Sequence, residues 1–332
     1  MPAALSFATY ASENVAAPNP GFPVQVVPEG FNARCRVHEY GGAAVLISGD
    51  LIVVSDFVTG RLNRVVAPER LEPLTPPDKA WRYADVIHDA AHNRLIAVRE
   101  DHEDAMVASH GEWNNDLVAI DLATGAVSPI AEGSDFYAAP RLSPDGSTLV
   151  WLEWHHPNMP WDGTELHLAN IAADGSLGPS RIVAGSRTDW ISQPRWSPDG
   201  VLHFVAEPEG WMNIFRLVEG RTEPVTSFEA EFAGPDWQFG YVTYDFMAGG
   251  SILAIARSGG RDQLVKVRAD GDLEPIDLPY SEIAGLSIDV EHGIAATREQ
   301  LEARREPGEC RGGRAAMAGH DEWRQLAGRT YE

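Results

Sequence analysis

The sequence predicts an all-β chain, a β-propeller of four-stranded antiparallel blades. Three observations carry that expectation: a turn motif repeated at a blade-sized interval, a succession of four- to six-residue apolar strands, and no convincing helical period before position 295. The repeat is Pro140-Arg141-Leu142-Ser143-Pro144-Asp145-Gly146 against Pro194-Arg195-Trp196-Ser197-Pro198-Asp199-Gly200, whose serines stand 54 residues apart. Ser-Pro-Asp-Gly is turn chemistry. Proline presets φ, aspartate bonds back to the backbone and glycine accepts a positive φ. A short apolar strand follows each copy, Thr148 to Leu152 and Val201 to Val205, so each is read as the turn of a hairpin.

The same rhythm continues through Leu51 to Val54, Arg94 to Val98, Leu117 to Ile120, Glu165 to Ala169, Ile214 to Leu217, Ile252 to Ala256 and Leu264 to Val267. Polar turns separate these strands, as at Asp121-Leu122-Ala123-Thr124-Gly125 and Arg268-Ala269-Asp270-Gly271-Asp272. Blade starts fall near Arg36, Trp81, Phe136, Trp190 and Tyr241, and a sixth, incomplete blade opens near Ala284. Four short strands cannot bury both faces alone, whereas blades packed face to face can. The domain reading is therefore an N-terminal extension over 1–30, a propeller of about six recognisable blades over 31–296 forming an incomplete ring, and an atypical tail over 297–332. Residues 20–33 can supply one ring-closing strand. The tail has no valine or isoleucine and is rich in Arg, Ala, Glu and Gly, which predicts a poorly folded end or a short helix near Glu299 to Arg305.

Composition narrows the function classes. Hydrophobic content of 44% with 23% charged residues is that of a globular chain. A formal charge of −23 repels phosphate backbones, which argues against nucleic acid and favours cationic or amine-bearing ligands. No stretch is apolar enough to span a bilayer and the start lacks a signal-peptide pattern, so the expectation is a cytoplasmic protein with no membrane partner. Cys35 and Cys310 are far apart and read as free thiols, and no cofactor is expected.

Several stretches resemble the N-terminal propeller of the prolyl oligopeptidase family, in particular its bacterial dipeptidyl and acylaminoacyl peptidases. They are His38-Glu39-Tyr40-Gly41-Gly42, Arg82-Tyr83-Ala84-Asp85, Phe136 to Gly146, and Trp151-Leu152-Glu153-Trp154-His155-His156-Pro157-Asn158-Met159-Pro160-Trp161-Asp162-Gly163-Thr164-Glu165-Leu166. The resemblance covers roughly residues 30 to 295 and implies a propeller that restricts access to short peptides, followed in the family by an α/β-hydrolase domain with a serine, an aspartate and a histidine. This sequence contains Gly-x-Ser only at Gly178-Pro179-Ser180, Gly249-Gly250-Ser251 and Gly285-Leu286-Ser287, none with a glycine two residues on. No nucleophile elbow is present. The expectation is a propeller without its catalytic domain, inactive alone, whose tail marks a truncated or frameshifted end. A TolB-like binding scaffold is the alternative.

Candidate site residues follow from the same stretches. Glu39 with Tyr40 either faces the central channel, where the carboxylate would hold a peptide's amino terminus, or is an ordinary polar position of an innermost strand. Glu153 and Trp161 complete the candidate substrate-binding set. His155 and His156 beside Glu153 and Asp162 are read as packing rather than metal ligation, since adjacent residues of an extended segment point to opposite faces. Asp101-His102-Glu103-Asp104 with His110 and Glu112 is read as a solvated loop between Arg99 and Asp116. Trp81, Trp190, Trp196, Trp211 and Trp237 are assigned to core or inter-blade packing.

Overall fold

The computed structural model describes residues 6–7, 24–103, 113–247, 249–278, 282–289 and 294–299. A short pair, β1 (Ser6–Phe7) and β2 (Val24–Gln25), opens the chain. Five four-stranded sheets follow, each running in chain order. They are β3 (Val45–Ser48), β4 (Leu51–Ser55), β5 (Leu62–Ala67) and β6 (Arg70–Pro73); then β7 (Trp81–Asp89), β8 (Arg94–Asp101), β9 (Asn114–Asp121) and β10 (Val127–Ala131). The third is β11 (Phe136–Leu142), β12 (Thr148–Trp154), β13 (Glu165–Asn170) and β14 (Arg181–Gly185), and the fourth β15 (Ile191–Trp196), β16 (Leu202–Ala206), β17 (Asn213–Val218) and β18 (Arg221–Pro224). The fifth is β19 (Tyr244–Phe246), β20 (Ile252–Ser258), β21 (Arg261–Val267) and β22 (Leu273–Ile276), and β23 (Ile283–Asp289) pairs with β24 (Ile294–Glu299). This is the antiparallel blade repeat of a β-propeller. One 3-10 turn, Ala90–His92, is the helical structure among the described residues, none of which forms a helix long and apolar enough to cross a membrane.

The strand chemistry explains the blade. The second strands, Leu51–Ser55, Thr148–Trp154, Leu202–Ala206 and Ile252–Ser258, are near-continuous apolar runs because both of their faces are covered. The fourth strands are polar and exposed, and four of the five carry a proline: Pro73, Pro129, Pro224 and Pro275. Proline suits an edge because it has no N–H to donate onward.

The chain divides into two compact units: Met1–Pro140 with Ile171–Gly178 and Trp237–Gly240, and Arg141–Asn170 with Pro179–Asp236 and Tyr241–Glu332. In the first, Val53, Leu62, Tyr83, Leu95, Ala97, Val118 and Ile120 form one core, and Val26, Val27, Ala33 and Val54 form another that ties residues 26–33 onto the first sheet. In the second, Val205, Ile214, Phe232, Tyr244, Ala254 and Val265 are packed together.

Both Ser-Pro-Asp-Gly segments are the expected turns. Ser143 Oγ donates to Asp145 Oδ1 at 2.6 Å and Gly146, at φ +70°, donates to Ser143 O at 2.8 Å. Ser197, Asp199 and Gly200 repeat this with 2.5 and 2.9 Å. Blade starts at Trp81, Phe136, Ile191, Tyr244 and Ile283 fall within three residues of expectation, while the first sheet opens at Val45, nine residues past Arg36. The delay is the work of a turn, described below. The last strand runs three residues into the expected tail, so Glu299 ends a strand, and the rest of the helix expected to Arg305 lies outside the described residues, as does Cys310.

Another repeat is conformational. Asp85 (φ +50°), Ala139 (φ +51°) and Gln193 (φ +51°) stand 54 residues apart in the first strands of successive blades, each in the left-handed region. The β7 and β15 ladders slip there, between Ala84 and Ile87 and between Ser192 and Arg195, so Asp85 and Gln193 lie in β-bulges. Asp85 and Gln193 each reach beyond their own sheet. Asp85 N–H donates to Ala43 O (3.2 Å) and Asp85 Oδ2 accepts from Ala139 N–H (2.9 Å). In the other unit Gln193 Oε1 accepts from Thr243 N–H (2.8 Å) while its amide donates to Thr243 Oγ1 (2.9 Å).

Candidate peptide-binding turn

Residues 36–43 form a compact turn in which His38, Glu39, Gly41, Gly42 and Ala43 all have positive φ. Glu39 N–H donates to Arg36 O (2.9 Å), Tyr40 N–H to His38 O (2.8 Å) and Gly41 N–H to Val37 O (3.0 Å). The glycine pair is required by close approach. A Cβ on Gly41 would lie 2.2 Å from Cys35 O, and one on Gly42 2.3 Å from Phe239 O. Phe239 N–H donates to Gly41 O at 2.9 Å, and Gly42 bridges Phe239, so the turn is clamped to the segment 237–240 nearly 200 residues away. Glu39 and Tyr40 are thus turn residues and not positions of an innermost strand, because left-handed residues on both sides of Tyr40 cannot be continued as a strand.

His38 is the internal anchor. Its ring packs edge-on against Phe136 (5.1 Å between centroids) and tilted on Phe239 (4.8 Å), and burial pushes its pKa down to about 3. It is neutral at physiological pH. The His38 backbone N–H donates to Glu100 Oε1 at 3.1 Å, and Glu100 Oε2 in turn meets His102 Nε2 at 2.5 Å and Arg82 Nη1 at 3.4 Å. Cys35 Sγ donates to Gly42 O at 3.1 Å, and burial raises the thiol to about 11, so it is an unreactive structural thiol.

The outer face of the turn is open. The Glu39 side chain is 66% exposed, with Arg36 Nη2 at 3.6 Å and Arg82 Nη1 at 4.0 Å from its oxygens. Tyr40 is 54% exposed and meets Trp237 (48% exposed) edge to face at 5.1 Å, while Gln238 Nε2 reaches Tyr40 O at 3.4 Å. The turn thus presents a solvent-facing carboxylate flanked by Arg36 and Arg82, and an exposed aromatic pair.

Glu153 and Trp161 belong to the other unit. Glu153 is buried on β12 and accepts from Trp151 Nε1 at 2.6 Å, and His167 Nε2 stands 3.5 Å from both Glu153 and Glu165. Register explains the group: Trp151 faces His167 and Glu153 faces Glu165 across β12 and β13. Trp161 is half-buried on a connection held by Asn158 Nδ2 to Arg187 O (2.7 Å) and Met159 N–H to Asp162 Oδ2 (2.9 Å).

Two readings of the sequence are corrected. Asp101 is no loop residue: β8 carries Arg99, Glu100 and Asp101 as buried strand positions, and Arg99 forms a bidentate pair with Asp116 (3.0 and 2.5 Å) while lying over Trp81 at 4.3 Å. A charged run reads as solvated only while its partner across the sheet is unknown. Asp104, His110 and Glu112 lie outside the described residues. Trp211 and Trp237 are surface residues and not core, since both lie in connections between strands. Trp237 comes to the candidate site beside the Gly42–Phe239 bridge, which has no local signature in the sequence.

No family model matches the sequence. The crystal structure of a puromycin hydrolase is similar over 82% of this chain and 44% of its own, with a TM-score of 0.74 and 29% identity. A puromycin-hydrolyzing peptidase of Mycobacterium tuberculosis is similar over 84% of this chain and 48% of its own, with a TM-score of 0.72 and 28% identity. Dipeptidyl-peptidase 5 of Porphyromonas gingivalis is 25% identical over 167 residues, 49% of this chain and 24% of its own length. The chain therefore spans less than half the length of the solved structures and about a quarter of that curated relative. In sequence and in fold alike, it is similar to the N-terminal β-propeller of the prolyl oligopeptidase family.

Proposed function

We propose that these 332 residues act as the propeller portion of a serine peptidase of the prolyl oligopeptidase class, admitting short peptides and holding their free amino terminus at Glu39. The observation that carries this is the exposed Glu39 carboxylate on a turn rigidified by Gly41, Gly42 and the Phe239 clamp, in a fold shared with peptidases. Rigidity matters because a preorganised carboxylate loses little entropy on pairing with an ammonium group. The chain holds no Gly-x-Ser-x-Gly, so peptide hydrolysis is not expected from it by itself.

Two measurements test the reading. Isothermal titration of the full chain with a tripeptide and with its N-acetylated form should show binding only of the free amine, and Glu39→Gln should weaken it about two- to fivefold, the range for an ion pair open to solvent. Equal binding of the acetylated peptide, or serine-reagent-sensitive turnover of aminoacyl substrates by this chain, would overturn the proposal.

A further inference from the structure

We infer that the open face of Trp211 is a docking platform for an arginine of a basic protein segment. The inference does not rest on Glu39; it comes from a comparison of two blades. In the second sheet Trp113 precedes β9, and Asn115 Nδ2 donates to Trp113 O at 3.1 Å and to Asp135 O at 3.0 Å. In the fourth sheet Trp211 precedes β17, and Asn213 Nδ2 donates to Trp211 O at 3.4 Å and to Phe228 O at 3.0 Å. Both tryptophans hang from the same asparagine clamp, but their covers differ. Glu100 faces Asn115 across β8 and β9, and His102, two residues on, lays its imidazole over Trp113 at 4.4 Å between centroids. Ala206 faces Asn213 across β16 and β17, and two residues on stands Pro208, which has no planar polar ring to offer. Trp211 is left 38% exposed, and among the described residues no ring or guanidinium stacks on it. Phe228, a second exposed ring, is tied to the same clamp by its N–H, which donates to Asn213 Oδ1 at 3.1 Å.

Charge identifies the occupant. Glu207 and Glu209 share a connection with Trp211, and Glu229 adjoins Phe228; all three are exposed and, among the described residues, none is ion-paired. Acids elsewhere in the same two sheets are paired, Glu223 with Arg216 at 3.0 Å and Asp262 with Arg257 at 2.6 Å. Arg257, whose backbone bridges Glu231, is therefore already engaged. Glu209 is two residues from Trp211, so their Cα atoms are at most about 7 Å apart, inside the roughly 8 Å screening length at physiological salt. The patch thus offers an uncovered indole and unanswered negative charge within one short stretch. A guanidinium answers both: it is planar, always charged and stacks on aromatic faces, whereas an ammonium is a compact, strongly hydrated point charge. An acidic segment would be repelled here, and a purely apolar one would leave the carboxylates without a partner.

The experiment is titration of the full chain with Gly-Arg-Gly-Arg-Gly and Gly-Lys-Gly-Lys-Gly, both N-acetylated and C-amidated so that neither presents an amino terminus to Glu39. The arginine peptide should bind about two- to fivefold more tightly, the range for an exposed cation–π contact, and Trp211→Ala should bring that ratio to about one. Trp211→Phe should keep part of the preference. Glu209→Gln combined with Glu229→Gln should weaken both peptides alike and leave the ratio unchanged, which separates charge from stacking. Glu39→Gln and Val58→Ser, the latter at a position 83% exposed, should alter neither affinity. Equal binding of the two peptides, a preference that survives Trp211→Ala, or no binding of the arginine peptide by the parent overturns the inference and leaves the role of Glu39 untouched. Sedimentation showing a dimer for the parent and a monomer for Trp211→Ala would give this face to a second copy of the chain and overturn it as well.

Discussion

Asp236 shows how a single group can set a pH dependence. Its carboxylate accepts from Ser192 Oγ at 3.0 Å and from Trp190 Nε1 at 3.3 Å, yet burial outweighs both bonds and raises its pKa to about 6. A carboxyl whose folded pKa exceeds its unfolded value binds its proton more tightly when folded. Stability from this group is therefore present at low pH and is lost as pH rises from about 4 through about 6, a cost of about 3 kcal/mol at neutrality. Asp236→Asn removes the charge and, like the protonated acid, keeps one carbonyl oxygen as an acceptor. Thermal unfolding should show the variant stabilised at pH 7.5 and nearly unchanged at pH 4; equal gains at both would refute the assignment. His38 has the opposite sign, its depressed pKa withdrawing stability as pH falls below its ordinary value, so the comparison must be made against the parent at each pH.

Between blades, the bulge contacts do what the hydrophobic pattern cannot. Apolar strands make faces that attract, but any face would do; Gln193 on Thr243 and Asp85 on Ala139 choose the neighbour and its register. Gln193→Ala leaves the Thr243 N–H without its acceptor and should cost about 1–3 kcal/mol in denaturant unfolding. A loss below about 0.5 kcal/mol would mean that the contact is incidental. This is also where legibility stops. Ser-Pro-Asp-Gly announced two turns and a 54-residue interval because a tight turn imposes residue types locally, and strands such as Ile252–Ser258 announced themselves by apolar content. The left-handed residues at 85, 139 and 193 share the same interval but are Asp, Ala and Gln, so geometry repeats where letters do not. Likewise Glu39 and Tyr40 were legible from their motif, whereas Trp237 joins them through a backbone bridge that no local pattern encodes.

At the level of the whole molecule, a formal charge of −23 opposes compaction. Screening should relieve it, so the melting temperature is expected to rise by a few degrees between about 10 and 150 mM sodium chloride, over which the Debye length falls from roughly 30 to 8 Å. A flat response would show that acids and bases are interspersed well enough to cancel locally. The ammonium affinity of the Glu39 turn should move the other way and weaken over the same range, which separates binding electrostatics from folding electrostatics in one salt series.

The prolines of the outer strands reach beyond the fold. Pro73, Pro129, Pro224 and Pro275 each interrupt the row of donors that an incoming extended chain would need. A peptide cannot readily add itself to those blades as a further strand, nor can a second copy zip onto their rims. Recognition is thereby left to side chains presented by connections, which read the chemistry of an end group rather than the monotony of a backbone.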